Sequence, residues 1–489
     1  MKLKIKNIHI AIIIAGILFN CISVFHSNLW FDESYSVGLA SWSFIDIWKI
    51  GGNDVHPILY YWILHIIYQL TNGSIIAYRI FSWICISMLG ILGFTHIRKD
   101  FGEKTGVIFS FFSYFLPVIC IYSAEIRMYS LAILLVSILA IYAHRLIKQE
   151  NDTFKNWMIF GVTSLMCIYT HYYGLMAAGI INLVLLGILI KQKRNKSAIK
   201  LVAMGVIQLV AYIPWILYFV QQLKNVSKGF WIGFEFPKTL YQLLSSQFSG
   251  NIAEKTGFII SLFIYAYLGY KVYKTIKNKE DYKVGVASLL IYLSVVVAAI
   301  LVTIVMKTSI LYYRYLFVIT GLYIFFISYF LGKEKNKYII GAICIVTLGL
   351  GITSNYMQIK EAYGPNNMTQ ITYLKENVQE NDVIVFDESN FGTGSVVSLN
   401  FKDHKQFYYN PSNWGVEAAY RAFGDQLKIY TNDSFLNECK GRVWIIDGEN
   451  EGLYNSLFNN ENYHIVSKKL IKTEYEKYVY NMILVEYNY

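Results

Sequence analysis

Apolar runs of about 17 to 23 residues recur from residue 8 to about residue 355, each long enough to cross a hydrocarbon core of ~30 Å as a helix. One run breaks the pattern. PILYYWILHIIYQL, residues 57 to 70, has only 14 residues, begins at Pro57 and is followed by the turn-like TNGS. Its length predicts an interfacial or re-entrant helix. Without it the pattern predicts eleven spans, roughly 8–26, 75–97, 105–122, 128–144, 156–170, 174–190, 200–221, 257–275, 284–306, 312–331 and 338–355. After Asn355 the periodicity changes. DVIVFDE and RVWIIDG read as buried strands, TQITYLKENVQE and EGLYNSLF as amphipathic helices, and YVYNMILVEY as a closing strand. The expected division is a transmembrane domain over 1–356 and a small soluble α/β domain over 357–489. No internal repeat is visible at a fixed period.

Composition supports this reading: of 489 residues, 55% are hydrophobic, 17% aromatic and only 15% charged. Charge then orients the spans. The segment after residue 356 holds 18 of the 32 acids but 12 of the 43 Lys and Arg, so it is net negative by six and the membrane portion carries 31 basic against 14 acidic residues, a surplus of seventeen within the overall +11. There the basic residues form six groups between apolar runs: Lys2 to Lys6, Arg98 to Lys104, Arg145 to Lys155, Lys191 to Lys200, Lys271 to Lys283 and Lys333 to Lys337. Dispersed groups of this kind argue against a nucleic-acid surface, which would be one patch. Eleven spans place all six groups on one side, which the positive-inside rule makes cytoplasmic. The N-terminus is then cytoplasmic and the tail extracytoplasmic, with residues 8 to 25 as an uncleaved signal anchor behind Lys2, Lys4 and Lys6. Five of the six cysteines, Cys21, Cys85, Cys120, Cys167 and Cys344, lie in apolar segments and Cys439 in the tail, so no disulfide framework or CxxC pair is available.

The same threading gathers a second set of residues at the outer surface. WFDE, NDVHP, YSAEIRMY, THYY and YYRYL contribute Asp32, Glu33, Asp54, His56, Glu125, Arg127, Tyr129, His171, Tyr172, Tyr313 and Arg314. Ion-coupled transporters place polar groups near the midplane, and the expected spans hold almost none there. Carboxylates, cations and hydroxylated aromatics at the interface suit a substrate with its charged head at the surface and its tail in lipid, such as a polyprenyl-phosphate sugar. Sugar transfer to a hydroxyl needs a base at the acceptor oxygen and cations or donors on the departing phosphate. A carboxylate suits the first role and the guanidinium fork the second. Structural readings stand beside these. Asp32 could cap the following helix. Glu125 and Tyr129, spaced i, i+4, could share a helix face in a structural ion pair. His171, Tyr172 and Tyr173 could form an interfacial aromatic belt. Arg79 is read as structural. Asp387, Glu388 and Asp447 follow strands but lack a Gly-rich phosphate loop.

These stretches resemble the GT-C superfamily of polyprenyl-phosphate-dependent glycosyltransferases, in the branch around protein O-mannosyltransferases, aminoarabinose transferases and Rgt-type bacterial enzymes. The matching residues are FDE at 31–33, DVHPILYYW at 54–62, the Y-x-x-E-x-R-x-Y stretch from Tyr122 to Tyr129, HYYG at 171–174 and RY at 314–315. The similarity spans roughly residues 1 to 355; His56-Pro57-Ile58 departs from the HPPLYY of many relatives. The resemblance implies a GT-C-like fold of about eleven transmembrane helices plus interfacial helices. It also implies an inverting transferase, with Asp32 as base and Glu33 and Glu125 as further acids. His56, in cationic form, and Arg127 and Arg314 fall to the donor phosphate, while Asp54, Tyr129, His171, Tyr172 and Tyr313 fall to substrate binding. Some members use divalent ions, Mg or Mn, for which Asp32, Glu125 and His171 offer ligands without a supporting local spacing. The implied partners are a polyprenyl-phosphate sugar donor, membrane lipids and an extracytoplasmic glycan, lipid or protein acceptor, with no nucleic acid. A flippase of lipid-linked sugars and a non-catalytic polyprenyl-lipid-binding assembly protein are the alternatives. The place is a multi-pass cell-membrane protein.

Overall fold

The computed structural model describes residues 2–228, 232–233, 235–250, 254–365, 368–412, 420–473, 475 and 479–489. The chain divides into two units, each assembled from separated segments. The first comprises Met1–Phe25, Val55–Tyr60 and Tyr78–Gln358; the second His26–Asp54, Tyr61–Ala77 and Ile359–Tyr489.

The first unit is helical. Among the described residues eight helices are long and apolar enough to cross a membrane: Ile5–Val24, Ile75–Phe101, Tyr129–Ile147, Tyr172–Lys191, Asn195–Ser227, Lys283–Met306, Tyr313–Gly332 and Lys337–Tyr363. Tyr129–Ile147 and Tyr313–Gly332 are the most enclosed. Others keep Ile207, Leu217, Val297, Val305 and Ile345 exposed, as helices bordering lipid do. Close helix approach depends on small residues. Gly16 and Gly90 flank the Tyr114 ring, and a Cβ on either would lie 2.2 or 2.0 Å from its atoms.

The three other expected spans are helical too, but fall outside the eight. Residues 105–122 form Glu103–Phe115 and Pro117–Tyr122, interrupted at Leu116. Pro117 lacks an N–H and drives the preceding residue to extended backbone, here with ψ 129°. Phe154–Thr170 has 17 residues, one turn short of a comfortable span. Glu254–Lys277 has 24 but carries Glu254, Lys255, Lys271, Lys274 and Lys277. The exceptional short run is the 13-residue helix Leu59–Thr71, about 20 Å long at 1.5 Å per residue.

The second unit is built on a six-stranded sheet. Its strands are β1 (Val383–Asp387), β2 (Gln406–Tyr409), β3 (Leu427–Tyr430), β4 (Arg442–Asp447), β5 (Tyr463–Lys472) and β6 (Val479–Tyr487), in the order β3-β2-β1-β4-β6-β5. The first four strands are parallel, and β6 and β5 are antiparallel additions. β1, β4 and β6 are the strands read from sequence; β1 and β4 stand out because central parallel strands covered on both faces are continuous apolar runs. One face packs Val385, Phe407, Val443, Ile445 and Ile483 around Phe435 and Phe458. On the other, Gly394 of the helix Phe391–Asn400 lies against Phe386, leaving no room for a Cβ. β2, β3, β5 and this helix are absent from the sequence reading. β5 exposes most of its residues and β3 is a four-residue edge, so neither carries the alternation that marks a half-buried strand.

The segment carrying Asp32 and Glu33 belongs to this second unit. Its helix Phe31–Ala40 packs on Phe391–Asn400, with the Phe31 and Phe391 rings 5.2 Å apart and Tyr35 6.1 Å from Phe423. Trp42 Nε1 donates to the Ala422 carbonyl at 3.3 Å. Gly38 permits the approach, since a Cβ there would sit 2.5 Å from the Ala422 oxygen. Gly38→Val is therefore expected to cost about 1–3 kcal/mol through overpacking. Thermal unfolding of the purified protein checks this against Gly179→Val, a position with nothing within 4 Å of a Cβ.

Candidate functional site

In the first unit the functional stretches meet at helix ends. The Pro117–Tyr122 helix stops, residues 123–128 run as an irregular loop, and the next helix starts at Tyr129. The shared helical face expected for Glu125 and Tyr129 is therefore absent. The reason lies in side chains that capture the loop's backbone. Arg79, 1% exposed, donates from Nη1 to the Ala124 carbonyl at 3.0 Å. Ser82 Oγ donates to the Glu125 carbonyl and Ser130 Oγ to that of Tyr122, both at 2.6 Å. Arg79 remains structural, but what it holds in shape is the loop carrying Glu125 and Arg127.

His171 sits between Phe154–Thr170 and Tyr172–Lys191 and caps the latter, its Nδ1 accepting from the Tyr173 N–H at 3.0 Å. An accepting Nδ1 assigns the proton of the neutral ring to Nε2. That Nε2 is buried without a hydrogen-bond partner among the described residues, and so is His56 Nδ1. The His171 ring lies 5.2 Å from that of His56, 5.8 Å from Tyr129 and 5.3 Å from Tyr315. Arg314, on the short helix Tyr313–Leu316, places Cζ 5.5 Å from the centre of the Tyr312 ring. Tyr122 feels Arg314, Tyr313, Glu125 and Tyr129 electrostatically. The fold thus brings together His56, Glu125, Arg127, Tyr129, His171, Tyr313 and Arg314, drawn from stretches far apart in the chain.

Burial and neighbouring charge decide the state of the histidines. His56 is held well below the ordinary histidine value, first by burial and then by Arg127, His171 and Arg314. His171 is pushed down to about 3 by burial and by Arg127. Burial, and after it the nearby guanidiniums, thus favour the neutral ring at His56. Between pH 6.5 and about 3 the unfolded chain binds a proton at residue 171 that the folded chain does not. Stability from this group is complete above pH 6.5 and lost as pH falls. By pH 4.5 the loss is expected to reach about 2–3 kcal/mol. His171→Gln should flatten that acid limb in thermal unfolding measured from pH 7 to 4.5.

A cavity of about 740 Å³ adjoins these groups. His56, His171, Tyr173 and Tyr315 line one part, while Phe219, Leu223, Leu301, Val305 and Ile310 make apolar walls. Tyr172 donates to Gln222 Oε1 and accepts from Trp215 Nε1, and Tyr173 donates to the Ile310 carbonyl at 2.9 Å. Both tyrosines are thus tied into the bundle beside the cavity. An apolar cleft with a few convergent polar groups is the usual form of a small-molecule site.

Asp32, Glu33 and Asp54 lie in the second unit. Asp32 and Glu33 occupy the first turn of Phe31–Ala40, where carboxylates complement the helix dipole, but the N-cap position is Trp30. Asp32 is half-buried two residues past that position. Glu33 is fully buried and accepts from Tyr475 Oη at 3.0 Å. Asp54 accepts from Tyr61 Oη at 3.4 Å. The acids after β1 and β4 serve the backbone: Asp387 accepts from the Ser389 and Asn390 amides, and Asp447 from those of Gly448, Leu453 and Tyr454. Among the described residues no three His, Cys, Asp or Glu side chains converge as a metal-ligand set.

Residues 55–218 match the family described as dolichyl-phosphate-mannose-protein mannosyltransferase. That stretch contains His56, Glu125, Arg127, Tyr129, His171 and Tyr172. A search of curated protein sequences finds no match. Among solved structures the chain is similar to ArnT from Cupriavidus metallidurans bound to undecaprenyl phosphate. The identity is 10% and the TM-score 0.62, over 98% of this chain and 97% of that one. Against apo ArnT from the same organism the identity is again 10% and the TM-score 0.65, over 97% of each chain. The protein thus shares the fold of ArnT along nearly its whole length, with a C-terminal sheet domain, and residues 55–218 are similar to the dolichyl-phosphate-mannose-protein mannosyltransferase family.

Proposed function

We propose that the protein is an integral-membrane glycosyltransferase that moves a hexosyl or pentosyl group from a polyprenyl-phosphate donor to a hydroxyl of an envelope glycan, lipid or protein. The observation that carries this reading is the convergence of Arg127, Arg314 and two neutral histidines beside an apolar cavity of about 740 Å³. Two guanidiniums match a phosphate, and apolar walls match the isoprenoid attached to it. ArnT, whose fold this chain shares, is described bound to undecaprenyl phosphate. Residues 1–356 are assigned the catalytic membrane domain and 357–489 the extracytoplasmic domain, with the N-terminus cytoplasmic.

In the proposed reaction the Asp32 carboxylate takes the proton of the acceptor hydroxyl as its oxygen attacks the anomeric carbon. The bond from that carbon to the phosphate oxygen breaks, with inversion and without a covalent enzyme intermediate. Negative charge grows on the departing lipid phosphate, where Arg127, Arg314, the Nε2–H of His171 and a neutral His56 stabilise it. Glu33, Glu125 and Asp54 supply acceptor-side carboxylates, while Tyr129, Tyr172 and Tyr313 line the substrate.

The test reconstitutes the protein in nanodiscs with radiolabelled polyprenyl-phosphate sugars and envelope material as acceptor. Label transfer from one donor is expected. Movement of intact donor between leaflets of proteoliposomes, without transfer, would establish a flippase instead; donor binding with neither would leave an assembly protein.

A further inference from the structure

The helices Tyr172–Lys191 and Lys283–Met306 each border two cavities. Their Tyr172 and Met306 ends line the one beside His56 and His171. Their Lys191 and Lys283 ends line a second, of about 610 Å³. From Tyr172 to Lys191 a helix rises about 28 Å, so the second cavity lies at the opposite end of the bundle, where the basic groups are.

Its walls are apolar: Ile141, Ile181, Leu185, Ile188, Ile291 and Phe325. The two serines among them turn away from any ligand. Ser137 Oγ donates to the Ile133 carbonyl at 2.7 Å and Ser288 Oγ to that of Leu322 at 2.8 Å. At the mouth stand Lys191, Gln192 and Lys283, all exposed, with His144 beside Phe101. Three other cations on this side of the bundle are paired with acids: Arg145 with Asp100, Arg194 with Asp152 and Lys271 with Glu334, each at 2.9 Å. Lys191 and Lys283 form no ion pair among the described residues. Asp281, the acid adjoining Lys283, accepts from the Lys283 backbone N–H at 3.2 Å.

An apolar slot with two uncompensated ammoniums at its mouth matches a molecule with a hydrocarbon tail and an anionic head. We propose that this cavity binds an anionic phospholipid, one acyl chain between the apolar walls and the phosphate at Lys191 and Lys283. Basic pockets between transmembrane helices recognise anionic headgroups in this way. Neither the donor chemistry nor the first cavity is needed for this inference, so it stands or falls apart from the proposed glycosyl transfer.

The test places the full-length protein in phosphatidylcholine nanodiscs. Each carries a trace of photoreactive phosphatidylglycerol or photoreactive phosphatidylcholine, and cross-links are mapped by mass spectrometry. The phosphatidylglycerol probe is expected to label residues 140–147 and 284–291. The Lys191→Gln/Lys283→Gln variant should reduce that label about tenfold, while Lys335→Gln/Lys337→Gln, outside the cavity, should not. Ala287→Phe, which fills the slot, should abolish it. Equal labelling by both probes, label mapped elsewhere, or label indifferent to Lys191→Gln/Lys283→Gln would overturn the proposal. Loss of the label to soluble glycerol phosphate would do so as well, since it would show that the headgroup alone is held.

Discussion

Asp32→Asn is expected to lower sugar transfer by about 10²–10⁴-fold, the usual contribution of a positioned general base, with donor binding little changed. The substitution keeps the size and first-turn position of the side chain and removes only its capacity to take the acceptor proton. The hydrogen bond that Ser36 Oγ donates to the Asp32 carbonyl is left in place. Initial rates over a range of acceptor concentration, with donor affinity measured separately, check this. A folded Asp32→Asn protein with wild-type turnover would end the base assignment. Glu33→Gln separates the two adjacent acids. Glu33 is buried and accepts from Tyr475, so its substitution is expected to lower thermal stability and to affect turnover less.

The second large effect concerns the cations. Hydrogen bonds to a charged group contribute about 1.5–3 kcal/mol each. Arg127→Gln with Arg314→Gln is therefore expected to reduce kcat/KM by about 10²–10⁴-fold, with weaker binding of the lipid phosphate product. Arg127 carries a further signature. It is among the groups that hold both His56 and His171 neutral. Burial is the larger cause for both rings and remains when Arg127 is removed, so both are expected to stay neutral in the Arg127→Gln enzyme between pH 8 and 6. Its kcat/KM should therefore be lowered by a constant factor across that range, parallel to the parent. A pH profile of kcat/KM for both proteins decides this, and activity regained by the variant alone as pH falls would show that Arg127, rather than burial, sets the protonation of the histidines.

Much of the architecture is written in local patterns. Runs of apolar residues need only length to specify a membrane helix, because unsatisfied backbone groups in lipid allow few alternatives. That is why most spans can be placed from sequence, and why β1 and β4, buried on both faces, stand out. The site residues are legible for a related reason: charged and polar side chains at the ends of apolar runs are conspicuous. Their partners are not. Nothing local tells that Arg79 reaches the Ala124 carbonyl, since that contact depends on helices meeting across the bundle.

The sequence by itself determined that the chain spans a membrane many times, that a sheet domain follows, and which acids, arginines and histidines are candidates. Tertiary structure alone decided the rest. It made residues 123–128 a loop, because side chains from another helix capture its carbonyls. It neutralised His56 and His171, because burial and nearby guanidiniums act through space. It joined the Asp32 helix to the C-terminal sheet, because Gly38 lets the Ala422 carbonyl approach where any Cβ would stand in the way.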